Sequence, residues 1–211
     1  PNPMVGAVLV GRDGAIVGEG FHQRAGGPHA EVLALDAAGD RARGGTLYCT
    51  LEPCCHHGLT GPCAPRIVEA GVSRVVAATE DPYPLVDGRG FKYLRDAGVS
   101  LEIGPGCDAA IRLNQPFFTL TRMHRPFVIL KAAISLDDCI AAAPGLRTRL
   151  TSVAANQHQH QVRAEVDAIG VGVGTVIVDD PMLTVRGVIG GGRKPTGGLQ
   201  GFFPEVLLTL K

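Results

Sequence analysis

The sequence predicts a mixed α/β chain in two domains, and three observations carry that prediction. Short apolar runs alternate with helix-patterned stretches over the first half, the order expected of a largely parallel sheet covered on both faces. Hydrophobic residues make up 45% of the 211 positions, enough for a sizeable core. A second set of apolar runs starts after Arg125-Pro126, which places the domains at 1–122 and 123–211.

The elements follow in order. Val5–Val10 and Ala15–Gly20 read as strands joined by the turn Gly11-Arg12-Asp13-Gly14. Ala30–Ala38 holds helix formers with apolar spacing and stops before Gly39. Thr46–Leu51 is a buried strand, Pro65–Ala70 a short helix ended by Gly71, and Ser73–Thr79 a further strand. Phe91–Ala97 then predicts a helix and Val99–Ile103 a strand. In the second half Phe127–Ile134 reads as an apolar strand, Asn156–Ala164 as a polar helix and Ala168–Val173 as a Gly-rich strand. Thr175–Val178 is another apolar run. Gly187–Gly201 carries seven glycines in fifteen residues, and Glu205–Lys211 reads as a lone strand. A lone strand needs partners, so the second domain is expected to be incomplete. Pro1, directly before a strand, suggests that the parent polypeptide begins earlier.

Charge and cysteine usage exclude several classes. Twenty basic and twenty acidic side chains cancel, which leaves no electrostatic footprint for nucleic acid or an anionic membrane. No run of 18 apolar residues marks a membrane span. Six cysteines, three of them within ten positions, suit a metal cluster in a reducing compartment, hence the cytoplasm, better than a disulfide framework.

The chemistry-bearing pattern is His29-Ala30-Glu31, then Pro53-Cys54, then Cys63. One histidine and two thiolates leave a fourth tetrahedral position on zinc for water, the arrangement of a catalytic site. Zinc brings the pKa of such a water from about 15.7 towards roughly 7, and a carboxylate beside it can carry protons to a ring nitrogen and a departing amine. Glu31 has the place for that base. The pattern is the signature of zinc deaminases, except that Cys54 and Cys63 stand nine apart where the compact motif has three. A closed knot of His29, Cys54, Cys55 and Cys63 is the non-catalytic alternative. Adjacent cysteines serve one ion poorly and such a knot gives Glu31 no purpose, so Cys55 is expected to be an ordinary buried thiol pointing away.

Longer stretches add to this motif: Pro1-Asn2-Pro3-Met4-Val5-Gly6, Gly20-Phe21-His22, Gly27-Pro28-His29-Ala30-Glu31, and Thr50-Leu51-Glu52-Pro53-Cys54-Cys55-His56-His57-Gly58. Asp81-Pro82, Arg125-Pro126-Phe127, Ser135-Leu136-Asp137 and Asp179-Asp180-Pro181-Met182-Leu183-Thr184-Val185-Arg186 follow in order. With them the chain resembles the bifunctional riboflavin-biosynthesis deaminase–reductases, the RibD/RibG family. The resemblance implies a cytidine-deaminase-like three-layer α/β/α domain followed by a partial dihydrofolate-reductase-like α/β domain. It implies zinc on His29, Cys54 and Cys63, Glu31 as proton shuttle, and deaminase substrate contacts at Asn2, His22 and His56. For the second domain it implies NADPH contacts at Ala133, Thr175 and Asp179, and substrate contacts at Lys131, Arg163, Leu183 and Arg186. The family usually has a basic residue at Leu59, where Arg66 would have to compensate, and Asn at Tyr83. Asp138, Arg147 and Arg149 also depart from its pattern and weigh against reductase activity.

The expected activity is hydrolytic deamination of 2,5-diamino-6-ribosylamino-4(3H)-pyrimidinone 5′-phosphate, a small pyrimidine nucleotide. The alternatives are NADPH-dependent reduction of 5-amino-6-(5-phosphoribosylamino)uracil, deamination of a nucleoside or nucleic acid, and a zinc-stapled binding protein without catalysis. Neither nucleic acid nor membrane is expected as a partner, and the sequence allows a homo-oligomer.

Overall fold

The computed structural model describes residues 2–187 together with the backbone of 200–203 and 206–210. The chain divides after Val128 into two compact units.

In the first unit β1 (Gly6–Val10) and β2 (Ile16–Phe21) form a hairpin, followed by α1 (Ala30–Ala38), a 3-10 turn (Gly39–Ala42) and β3 (Thr46–Cys49). Then come α2 (Cys63–Glu69), β4 (Arg74–Ala77), α3 (Arg89–Asp96), β5 (Ser100–Ile103), α4 (Cys107–Leu113) and α5 (Gln115–Met123). The sheet order is β2-β1-β3-β4-β5. β1 pairs antiparallel with β2 and β3, whereas β3, β4 and β5 run parallel. The sheet is therefore mixed, and its parallel half is built by the α2 and α3 crossovers.

Strand alternation sorts the side chains. Ala7, Leu9, Leu47, Cys49, Val75 and Ala77 are buried in one cluster with Ala30, Ala34, Leu35 and Ala38 of α1 and Ile67, Phe91 and Leu94 of α2 and α3. Two glycines make the α1 contact close. A Cβ at Gly18 would lie 2.0 Å from the Ala34 carbonyl oxygen, and one at Gly20 would lie 2.3 Å from that of Ala30. Only glycine lets β2 and the start of α1 approach so closely, and that start carries His29 and Glu31. Val8, Tyr48 and Val76 face the other way, where α4 helps line a broad apolar groove of ≈ 910 Å³.

The second unit contains α6 (Val153–Glu165), β6 (Ala168–Gly172), α7 (Val173–Asp179), β7 (Gln200–Phe203) and β8 (Val206–Leu210). β8 lies between β6 and β7, antiparallel to both. The expected lone strand thus has partners on both sides, although Glu205 and Lys211 lie outside the described residues, as do 188–199 of the Gly-rich run. Phe127–Ile134 corrects another expectation. It forms no strand, and Val128 and Leu130 are 72% and 92% exposed. Apolar β-branched composition favours a strand only where a neighbouring strand pairs with it, and none does here among the described residues. The run Thr175–Val178 is helical, as part of α7.

Candidate metal centre and active site

His29 is the N-cap of α1, with extended backbone and no side-chain cap bond. Its ring is therefore free to turn away from the helix. Cys54 follows β3 in an irregular segment, and Cys63 is the first residue of α2. The helix after β3 starts at Cys63, and its first amide serves Cys54. The Cys63 N–H donates to Cys54 Sγ at 3.4 Å, and the Ala64 N–H donates to the Cys54 carbonyl at 2.9 Å. Backbone N–H groups at a helix start favour a thiolate there.

These segments bring His29, Cys54 and Cys63 together, with one ligand atom from each all within 4.8 Å of one another. His29 Nδ1 lies 3.2 Å from Cys63 Sγ and 3.4 Å from Cys54 Sγ. Cys55 packs half-buried against the main core and does not join this group. One imidazole and two sulfurs, sheltered and on different segments, are the donor set that zinc prefers.

Electrostatics match that chemistry. The Cys63 thiol, donating to Cys54, and then His29 pull the Cys54 sulfur down to about 4. Cys63 is pushed up by the same contact. The hydrogen bond to Cys54 is the main influence raising His29. Glu31, on the first turn of α1, is 3% exposed. Burial pushes its carboxyl up to about 7, and the Cys54 sulfur adds to the rise. A carboxyl poised near neutrality can both accept and return a proton.

Beside the cluster lies a cavity of ≈ 350 Å³ lined by His29, Cys54, Asn2, His22, His56, Tyr83 and Phe117, among others. His22 Nδ1–H donates to the Pro28 carbonyl at 3.2 Å, which leaves Nε2 to accept from the Asn2 amide at 3.0 Å. His56 Nδ1 is buried without a hydrogen-bond partner among the described residues, and its ring lies 6.0 Å from that of Tyr83. A buried polar atom left unpaired costs about 1–3 kcal/mol, and this one belongs to a side chain that lines the cavity. The apolar groove is larger, but the titratable and sulfur groups converge on this smaller cavity. Arg66 is paired with Asp36 at 2.8 Å on the exposed surface, while Leu59 is 85% exposed.

Motif reading missed the residues that hold this pocket in shape. Glu52 Oε2 accepts from the Asp81 and Gly88 amides at 3.2 and 3.0 Å, and Oε1 from Phe91 at 3.1 Å. One carboxylate thus ties the end of β3 to the 81–88 loop and the start of α3. Burial raises its pKa, against the lowering by those amides. Gly90 allows the approach, since a Cβ there would meet the Pro53 oxygen at 1.9 Å. Asn114 is 2% exposed and brackets Met4, accepting from its N–H at 2.7 Å and donating to its carbonyl at 2.9 Å. That clamp places the 2–4 segment, and with it Asn2.

The second unit assembles only part of the expected set. Arg163 on α6 donates to the carbonyls of Met182 and Thr184, both at 3.3 Å, Leu183 is buried, and the Arg186 N–H donates to His160 Nδ1 at 3.2 Å. Lys131 is exposed and Ala133 half-buried on the unpaired extended segment. Thr175 is exposed and Asp179 half-buried on α7.

Comparison with known proteins agrees with both halves. The cytidine and deoxycytidylate deaminase zinc-binding region matches residues 1–79, and the RibD C-terminal domain matches residues 126–196. The riboflavin biosynthesis protein RibD of Aquifex aeolicus is 50% identical over 186 residues, 88% of this chain and 52% of that protein. RibD of Escherichia coli strain K12 is 49% identical over the same share of this chain and 50% of its own length. The chain thus spans about half the length of the curated relatives it matches. Among solved structures, a Thermotoga maritima diaminohydroxyphosphoribosylaminopyrimidine deaminase/5-amino-6-(5-phosphoribosylamino)uracil reductase superposes with a TM-score of 0.83 at 43% identity. The match covers 92% of this chain and 55% of that one. Acinetobacter baumannii RibD, form 2, gives 0.80 at 47% identity over 89% of this chain and 52% of its own.

Proposed function

Because the chain belongs to the riboflavin-biosynthesis RibD family, we propose that it is a zinc-dependent deaminase of a small pyrimidine nucleotide. Its substrate is 2,5-diamino-6-ribosylamino-4(3H)-pyrimidinone 5′-phosphate, which loses its 2-amino group as ammonia. The observation that carries this reading is the clustering of His29, Cys54 and Cys63 with the buried Glu31 against them, beside a cavity that His29 and Cys54 line.

His29, Cys54 and Cys63 would hold the zinc. What the metal supplies when bound is acidity, bringing a water's pKa from about 15.7 towards roughly 7. Glu31 would take one proton from the attacking water and pass it to the ring nitrogen, then carry a second, from the new hydroxyl, to the leaving amine, a relay that its neutral-range carboxyl suits. Asn2 and His22, bonded to one another, present a fixed polar edge to the substrate. His56 offers its unpaired Nδ1, and the Tyr83 and Phe117 rings give the heterocycle apolar faces. The Glu52 tie keeps Tyr83 at the rim by holding the loop that carries it. No helix among the described residues is long and apolar enough to cross a membrane, and the balanced charge favours a small substrate over a polynucleotide.

A second activity, NADPH-dependent reduction of 5-amino-6-(5-phosphoribosylamino)uracil, is favoured by the match of residues 126–196 and by the Arg163–Leu183–Arg186 grouping. One incubation separates the readings. The zinc-loaded chain is given the pyrimidine nucleotide, or a cytosine-bearing oligonucleotide, in the presence of NADPH. Ammonia should appear with the nucleotide alone. Ammonia from the oligonucleotide only would overturn the substrate class, and NADPH oxidation following ammonia release would establish the reductase step in this chain.

A further inference from the structure

We propose that Thr60 is the positioning residue that fixes His29 for the metal, and that the nine-residue separation of Cys54 and Cys63 is what lets the loop deliver it. The inference rests on the zinc reading above and adds a residue that motif spacing did not single out.

The His29 ring is held on both edges. Nδ1 faces the two sulfurs at 3.2 and 3.4 Å, and Nε2 lies 3.1 Å from Thr60 Oγ1. A metal at Nδ1 needs that nitrogen's lone pair, so the ring proton must sit on Nε2. The Thr60 hydroxyl oxygen is placed to accept it. Such an outer partner sets both the tautomer and the ring angle of a metal-binding histidine.

Among the described residues, no other contact does this work. His29 caps α1 without a side-chain hydrogen bond to the helix. The adjacent His22 ring meets it edge-on at 5.5 Å, but both His22 nitrogens are engaged by Asn2 and Pro28.

The loop explains why Thr60 is available. The Gly58 N–H donates to the Thr60 carbonyl at 3.1 Å, closing a turn that throws Leu59 outward to 85% exposure and leaves Thr60 half-buried over the histidine. A compact C-x-x-C has two residues between its thiolates, too few for such a turn. The longer loop therefore carries the outer partner of the histidine ligand as well as the second thiolate.

The test is zinc affinity by competition with a chromophoric chelator, together with the visible spectrum of the cobalt-loaded full chain. Thr60→Val keeps the shape and removes the hydroxyl, whereas Thr60→Ser keeps the hydroxyl. T60V should bind zinc roughly 10–100-fold more weakly and shift the cobalt bands, while T60S should match the wild type in both. If T60V binds zinc as tightly as the wild type, or if T60S is as weak as T60V, the Thr60 assignment is overturned and the zinc site stands. If the wild-type chain binds no zinc at all, the metal reading fails and this inference fails with it.

Discussion

At the scale of single residues, Glu31 is a carboxyl whose burial disfavours its charged form. Its ordinary pKa is near 4.5 and burial lifts it to about 7, so the metal-free fold binds a proton there that the unfolded chain has released. The sign follows from linkage. Between about pH 4.5 and 7 the native state holds more protons than the unfolded state, so this group's contribution falls as pH rises across that window. Glu31→Gln removes the titration. In chelator-treated protein, urea unfolding should show similar stability for wild type and variant at pH 4. At pH 8 the variant should be the more stable, by on the order of 3 kcal/mol. Equal stability at pH 8, or a less stable variant, would mean that Glu31 is not held in a desolvated pocket. His29, Glu31, Cys54 and Cys63 were legible in the sequence because metal chemistry constrains their types and spacing. Glu52, Thr60 and Asn114 were not. Each acts on a group brought near only by folding, as when Asn114 brackets Met4 from the far end of the unit.

At the scale of elements, the α1–β2 contact sets the site, since α1 is capped by His29 and carries Glu31 in its first turn. Gly18→Ala would place a methyl 2.0 Å from the Ala34 carbonyl oxygen, and neither backbone can yield without moving α1. The expected loss is about 1–3 kcal/mol, the usual cost of overpacking, measured by urea denaturation. Gly61→Ala is the control, with nothing within 4 Å of the added atom, and should stay within roughly 0.5 kcal/mol of wild type. Equal losses in both would show that crowding at the α1–β2 seam is not the cause. Ala30–Ala38 was readable because helix formers end at a glycine, and the structure gives the same bounds. α4 and α5 escaped notice, because a turn around Asn114-Gln115-Pro116 breaks their stretch into two short helices. Phe127–Ile134 misled because strand composition says nothing about whether a partner strand is in place.

At the scale of the whole molecule, the first unit closes its own core and its own site, which the motif and fold alternation largely foretold. The second was harder to read. β7 begins in the last two residues of the Gly-rich run, where neither periodicity nor a turn signature announces a strand to pair with β8. RibD relatives match across both units over about half of their own length, while the proposed activity rests on the geometry of the first unit. The central claim is that Glu31 moves protons beside a zinc held by His29, Cys54 and Cys63. The most direct measurement is ammonia release from the pyrimidine nucleotide by zinc-loaded wild type and Glu31→Gln, with metal content determined on the same samples. The account predicts one zinc per chain in both and a loss of at least about 10²-fold in the variant's rate. A variant that keeps its zinc and still releases ammonia at the wild-type rate would contradict it.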